Sequence, residues 1–298
     1  MRNLRKGGRV LIPSTISWGF CSYCRAGYTA QYDNANPDGA AAGTAFFGGP
    51  KMSGPFQGLQ AQYARTPLAN ASLVRLPDEI DDDRAVLMSD IFPTGYFGAQ
   101  LAGVRTGDTV AVFGAGPVGQ FAVASAKLMG AGRVIVVARI ASRRDMVCTQ
   151  GADVINVDEE DPVDIILQLT GEIDVHRVID AVGVDAVRAE QGPAAEKEKT
   201  RSRPSTQRSR SSRHKPGPTA ATGSRAAVRR RFCRGPCGPW RRPARIDHRR
   251  VSANRPHIPD RRSDEPQSRP AHGQLHHRAI TPRLVELVRN GSFDPLGG

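Results

Sequence analysis

The 298-residue sequence predicts an α/β protein in three parts: an irregular β-rich unit, a parallel sheet with helical crossovers, and a basic segment without structural periodicity. Three observations carry this. Short apolar runs between Gly, Pro and Asn fill the first 76 residues. From Gly107 onward, apolar runs of strand length alternate with runs of helical spacing. Residues 200–280 hold 21 of the 42 Lys and Arg but 4 of the 29 Asp and Glu, so this one stretch supplies the whole excess charge of +13.

In the β-rich part, residues 9–14 (RVLIPS), 61–66 (AQYART) and 72–76 (SLVRL) are expected strands. Asp81, Asp82 and Asp83 precede an apolar stretch and mark an acidic helix start. Residues 109–113 (TVAVF) predict a buried strand, and 118–129 a helix closed by Gly130. The pattern continues with a strand at 133–137 (RVIVV) and a helix at 142–150 closed by Gly151. A strand at 152–157, a helix at 162–170 and a strand at 177–182 complete it. Strands separated by helices of this length form a parallel sheet.

The alternation stops near Ala195. Residues 200–280 carry ten prolines and eight large apolar side chains, too few to offset the entropy of ordering them, and disorder is expected. Residues 282–289 (PRLVELVR) then read as one amphipathic helix stopped at Asn290-Gly291. The five cysteines are too few and scattered for a disulfide framework. The opening has a three-residue apolar run before Pro13, unlike a signal peptide, and no run of eighteen apolar residues occurs. A cytoplasmic protein is expected.

Gly114-Ala115-Gly116-Pro117-Val118-Gly119 is a G-x-G-x-x-G turn directly between a strand and a helix. The first glycine permits the tight turn, and the second lets backbone approach a pyrophosphate. The third allows close helix–strand packing. Amides at the helix start would face the anion. Such sites expect an acid at the end of the second strand for the adenosine ribose. Here that strand runs into Ala138-Arg139. Arg139 could meet a 2′-phosphate, so NADP stays open, with NAD the first reading.

Four stretches carry a family resemblance: 43–65 (GTAFFGGPKMSGPFQGLQAQYAR), 87–99 (LMSDIFPTGYFGA), 107–135 and 177–186 (RVIDAVGVDA). Together they resemble the zinc-type, medium-chain alcohol dehydrogenases, in particular the glutathione-independent formaldehyde dehydrogenase branch. The likeness covers about residues 4–196 and resumes near 276–296. It implies a partial GroES-like catalytic domain over 1–100 and the first half of a Rossmann domain over 101–196. The basic segment then occupies 197–279, and a C-terminal helix remnant 280–298.

The resemblance further implies hydride transfer between a small alcohol or aldehyde hydrate and NAD or NADP, assisted by zinc. Asp90 of the SDIFPTGY motif falls at a catalytic zinc ligand, while the family's Cys and His ligands would precede Met1. Thr94 and Gly95 fall beside the nicotinamide, and Val182 and Gly183 at a fourth-strand cofactor contact. The structural zinc pattern C-x2-C-x2-C-x7-C maps onto Trp18, Cys21, Cys24 and Tyr32, so two of four thiolates are aromatic rings here. Most of that zinc's folding energy is expected to be lost.

The family would place further sheet strands where residues 200–280 lie. Their Arg, Pro, Gly, Ala and Ser composition, and the likeness that lapses and resumes, suit a frame-shifted stretch of a GC-rich gene. The resulting expectation is a dehydrogenase by descent with little or no turnover. The alternatives are a non-catalytic remnant with weak dinucleotide binding, or a protein associating with nucleic acid through 200–280. Phe232 and Trp240 are the aromatic side chains that segment offers for base stacking, which argues against the last. His276-His277 reads as a fragment of a family-like stretch rather than a metal pair. Family members are homo-oligomers, and no membrane partner is expected.

Overall fold

The computed structural model describes residues 4–31, 44–49, 56–183, 192–201 and 275–297. The expected frame-shifted segment therefore lies almost wholly outside the described residues, as does Tyr32.

The N-terminal part is held by few regular elements. Strands β1 (Val10–Leu11) and β2 (Val74–Arg75) pair antiparallel, with short helices α1 (Ser22–Arg25) and α2 (Ala69–Ser72) between them. The expected strand at 61–66 is instead irregular, with Tyr63 exposed. Among the described residues it has no partner strand, and a ladder cannot form from one side. The expected strands at 9–14 and 72–76 shrink to their two-residue paired centres for the same reason.

Helix α3 (Asp82–Leu87) begins where the acidic triplet placed it. The Asp81 side chain caps it, accepting the Arg84 amide at 2.8 Å. Helix α4 (Ile91–Leu101) follows and leads into the sheet domain. There the order is β3 (Thr109–Phe113), α5 (Pro117–Leu128), β4 (Arg133–Ala138) and α6 (Ala141–Thr149). Strand β5 (Asp153–Asn156), α7 (Pro162–Thr170) and β6 (Arg177–Asp180) follow. All four strands run parallel in the spatial order β5-β4-β3-β6. The chain thus builds outward from β3 on one side and then crosses to its other side. Ligands of such sheets bind where the order reverses, outside the carboxyl ends of the strands.

Burial explains the sequence pattern. Val110, Ala111, Val112, Val134, Ile135 and Val136 are buried on both faces, giving the near-continuous apolar runs of parallel strands. One core layer joins β3 and β4 to α5, and the other joins Ala111, Ile135 and Ile155 to Ile166 of α7. Helix α8 (Gly192–Arg201) extends past the expected end of the pattern. Helix α9 (His277–Arg289) starts five residues before the expected helix and stops at Asn290-Gly291. Its apolar face, Ile280, Leu284, Val285 and Val288, packs with Phe92, Tyr96 and Phe121 of α4 and α5.

Candidate cofactor site

The glycine turn occupies the corner between β3 and α5. Gly114 has φ +93°, a conformation that L side chains rarely adopt. A methyl group on it would meet the Ala181 carbonyl of the β6 side at 3.0 Å. Gly116 is extended and caps α5, and Pro117 is the first helical residue, where a missing N–H costs nothing. A Cβ on Gly119 would sit 2.1 Å from the Gly114 carbonyl oxygen, so helix and turn touch through bare backbone. Val118 lies in the first turn of the helix. Three glycines leave an uncovered cradle at the α5 amino end, open to an anion.

Beside it, Val182 follows β6 half-exposed, its N–H donating to Asp180 Oδ1 at 3.0 Å, and Gly183 has φ +85°. Both lie next to the point where the strand order reverses. Arg139 follows the last residue of β4. Its guanidinium grips Asp158 through Nε, 3.0 Å from both carboxylate oxygens, and through Nη2 at 2.7 Å from Oδ1. That hydrogen bonding holds the Asp158 carboxyl below the usual carboxylate range. Arg144 in turn donates to the Arg139 carbonyl. The charge that the sequence left open for a 2′-phosphate is thus neutralised by a carboxylate from the loop after β5.

Asp90 sits at the amino end of α4, and its carbonyl accepts the Thr94 amide at 2.9 Å and the Thr94 hydroxyl at 2.7 Å. Ser14 Oγ donates to Asp90 Oδ1 at 3.0 Å. His277, almost fully buried, brings Nε2 to 3.5 Å from Asp90 Oδ1 and Nδ1 to 3.0 Å from Thr15 Oγ1. Hydrogen bonding to His277 holds the Asp90 carboxyl below its ordinary range, burial opposes this, and Ser14 adds to it. Sequence reasoning read His277 as part of a family-like fragment and did not foresee its approach to Asp90, which joins segments far apart in the chain.

Cys21 and Cys24 are buried in a small apolar cluster with Ile16 and Ala45, against which Trp18 packs. Cys24 N–H donates to Cys21 Sγ at 3.4 Å, and Gly19 N–H to Cys24 Sγ at 3.3 Å. Burial pushes the Cys24 thiol up. Trp18 fills one family ligand position with an apolar contact rather than a donor.

The zinc can be tested against these donors. A catalytic zinc takes three protein ligands and a structural one four. Among the described residues no group of three or more His, Cys, Asp or Glu is placed to hold a metal. Asp90 and His277 together fall one ligand short, and Cys21 and Cys24 two short. The described residues do not fit zinc, whereas the glycine cradle fits a dinucleotide.

A parallel sheet ordered this way, with a G-x-G-x-x-G corner at its reversal point and an irregular antiparallel unit before it, makes a Rossmann-type fold behind a GroES-like unit. Residues 117–191 match the zinc-binding dehydrogenase family. The chain is 37% identical over 187 residues to a zinc-type alcohol dehydrogenase-like protein of Bacillus subtilis, covering 61% of this chain and 48% of that protein. To the glutathione-independent formaldehyde dehydrogenase of the same organism it is 38% identical over 190 residues, covering 61% and 45%. The alcohol dehydrogenase TADH from Thermus sp. ATN1 superposes with a TM-score of 0.55 at 33% identity, covering 61% of this chain and 50% of that one. Over that stretch the chain is similar to zinc-type alcohol dehydrogenases. It spans about half the length of the curated relatives it matches. Among the described residues no helix is long and apolar enough to cross a membrane.

Proposed function

We propose that this chain carries the cofactor-binding half of a zinc-type alcohol dehydrogenase-like oxidoreductase and binds NAD at the β3–α5 corner. The observation that carries the proposal is the bare cradle of Gly114, Gly116 and Gly119 beside the strand-order reversal. Gly116 and Val118 would hold the diphosphate through backbone amides, with Pro117 starting the helix between them, and Val182 and Gly183 would flank the nicotinamide side of the crevice. Thr94, one turn into α4, and Asp90 at its start would face the reacting end. NAD held there would supply hydride-acceptor chemistry for the oxidation of a small alcohol or aldehyde hydrate.

NAD is preferred over NADP because Asp158 already neutralises Arg139. A zinc ion is what the family relation suggests, but the described donor sets fall short of it, and no step is drawn through one. The nucleic-acid alternative rests on residues outside the described ones, and nothing in the described structure favours it.

The test is a fluorescence titration of the full chain with NADH, followed by assay of NAD-dependent oxidation of formaldehyde hydrate and primary alcohols. Saturable binding that disappears in Gly119→Ala is expected, because the methyl would push α5 off the turn. Absence of NADH binding to the unaltered chain at millimolar concentration would refute the proposal.

A further inference from the structure

Most arginines at the ends of the sheet strands and on α6 are committed. Arg133 pairs with Asp153 at 2.6 Å, Arg139 with Asp158 at 2.7 Å and Arg177 with Asp108 at 3.1 Å. Arg144 donates to the Arg139 carbonyl. Arg143 differs. Among the described residues its guanidinium has no carboxylate partner, and it reaches back over the glycine turn. A methyl group built on Gly116 would lie 3.9 Å from Arg143 Nη1.

This placement is fixed from beneath. The buried Gln120 side chain donates through Nε2 to the Ala115 carbonyl at 3.2 Å and to the Arg143 carbonyl at 3.0 Å. Its Oε1 accepts from Gln150 Nε2 at 2.8 Å. One amide therefore ties the phosphate-binding turn to the first turn of α6 and locks the Arg143 backbone at a set distance from Gly116. Helix-end amides supply partial positive charge, but a diphosphate carries full negative charges, and an exposed guanidinium above the turn supplies the missing counter-charge.

We infer that Arg143 binds the diphosphate of the dinucleotide over Gly116, and is the charged group of a site otherwise built from backbone. This deepens the proposed function and rests on it. Two phosphates of a nicotinamide cofactor could meet an arginine here, the diphosphate and the 2′-phosphate of NADP. The position of the guanidinium beside the open face of Gly116, the glycine that admits the diphosphate, assigns the first.

Titrations of the full chain and of Arg143→Gln and Arg143→Lys with NADH, NADPH, ADP and adenosine separate the readings. Arg143→Gln is expected to weaken NADH, NADPH and ADP alike, by about tenfold to a hundredfold for the loss of one charge-assisted contact. Adenosine, which has no phosphate, should bind the variant as it binds the parent. Arg143→Lys should recover part of the loss, and both variants should keep the parent's circular dichroism, since the guanidinium supports no packing. A loss confined to NADPH would overturn the inference by moving the contact to the 2′-phosphate. Unchanged NADH and ADP affinity would overturn it and leave the proposed function standing. An unaltered chain that binds neither NADH nor ADP would overturn both.

Discussion

Arg139 and Asp158 show how one ion pair changes the meaning of a sequence position. Taken alone, an arginine at the end of the second strand points to a 2′-phosphate, but the folded chain spends that charge on a carboxylate nineteen residues away. The pair is about one-third exposed on each side, so its net worth is small, about 0.2–1 kcal/mol. Its pH dependence is nonetheless defined. Asp158 has a folded pKa below its ordinary 3.8, so it releases its proton more readily folded than unfolded. Its contribution is fully present above about pH 4 and is lost as pH falls through the lower folded value. Urea unfolding at pH 5 and pH 3 should show Asp158→Asn less stable than the parent at pH 5, with a smaller deficit at pH 3. An equal difference at both pH values would rule out the ion pair as the source.

The crossing of α4 and α5 is where element-scale packing constrains the sequence most. Gly95, which the family resemblance set beside the nicotinamide, is buried against α5. A Cβ there would lie 2.7 Å from the Ala122 nitrogen, the Phe121 carbonyl carbon and Phe121 Cβ. Two of those atoms are backbone and cannot swing away. Gly95→Ala is expected to cost about 1–3 kcal/mol by overpacking, read as a lower urea midpoint. If stability were unchanged, the helices would have to be free to separate, and the close crossing would be wrong. The helical stretches 118–129 and 162–170 were legible because their apolar spacing changes from that of a strand to that of a helix between glycines. The N-terminal strands were legible merely as apolar runs, because pairing depends on a partner far along the chain.

At the scale of the whole molecule, the C-terminal segment closes the core that the N-terminal unit opens. Phe92 of α4 stacks on Phe121 of α5 at 5.1 Å and on Phe293 at 4.5 Å, and Leu284 of α9 is fully buried among them. Arg84 of α3 clamps Asp294 through two 2.9 Å hydrogen bonds. Residues 275–297 are therefore a structural part of the fold. Leu284→Ala should lower stability by about 2–5 kcal/mol in denaturant titrations followed by circular dichroism. A change under about 0.5 kcal/mol, the range of surface substitutions, would mean that α9 does not seal this core.

The βαβ alternation, the glycine corner and the caps at Asp81 and Asn290 were all written in the sequence, because each depends on neighbours within one turn or one strand. What the sequence could not decide was which charges remain available. Asp158 takes Arg139, Gln120 holds Arg143 over Gly116, and His277 meets Asp90 from far along the chain. Those outcomes depend on contacts between distant segments, and burial and Coulomb attraction act through space whatever the order of residues along the backbone.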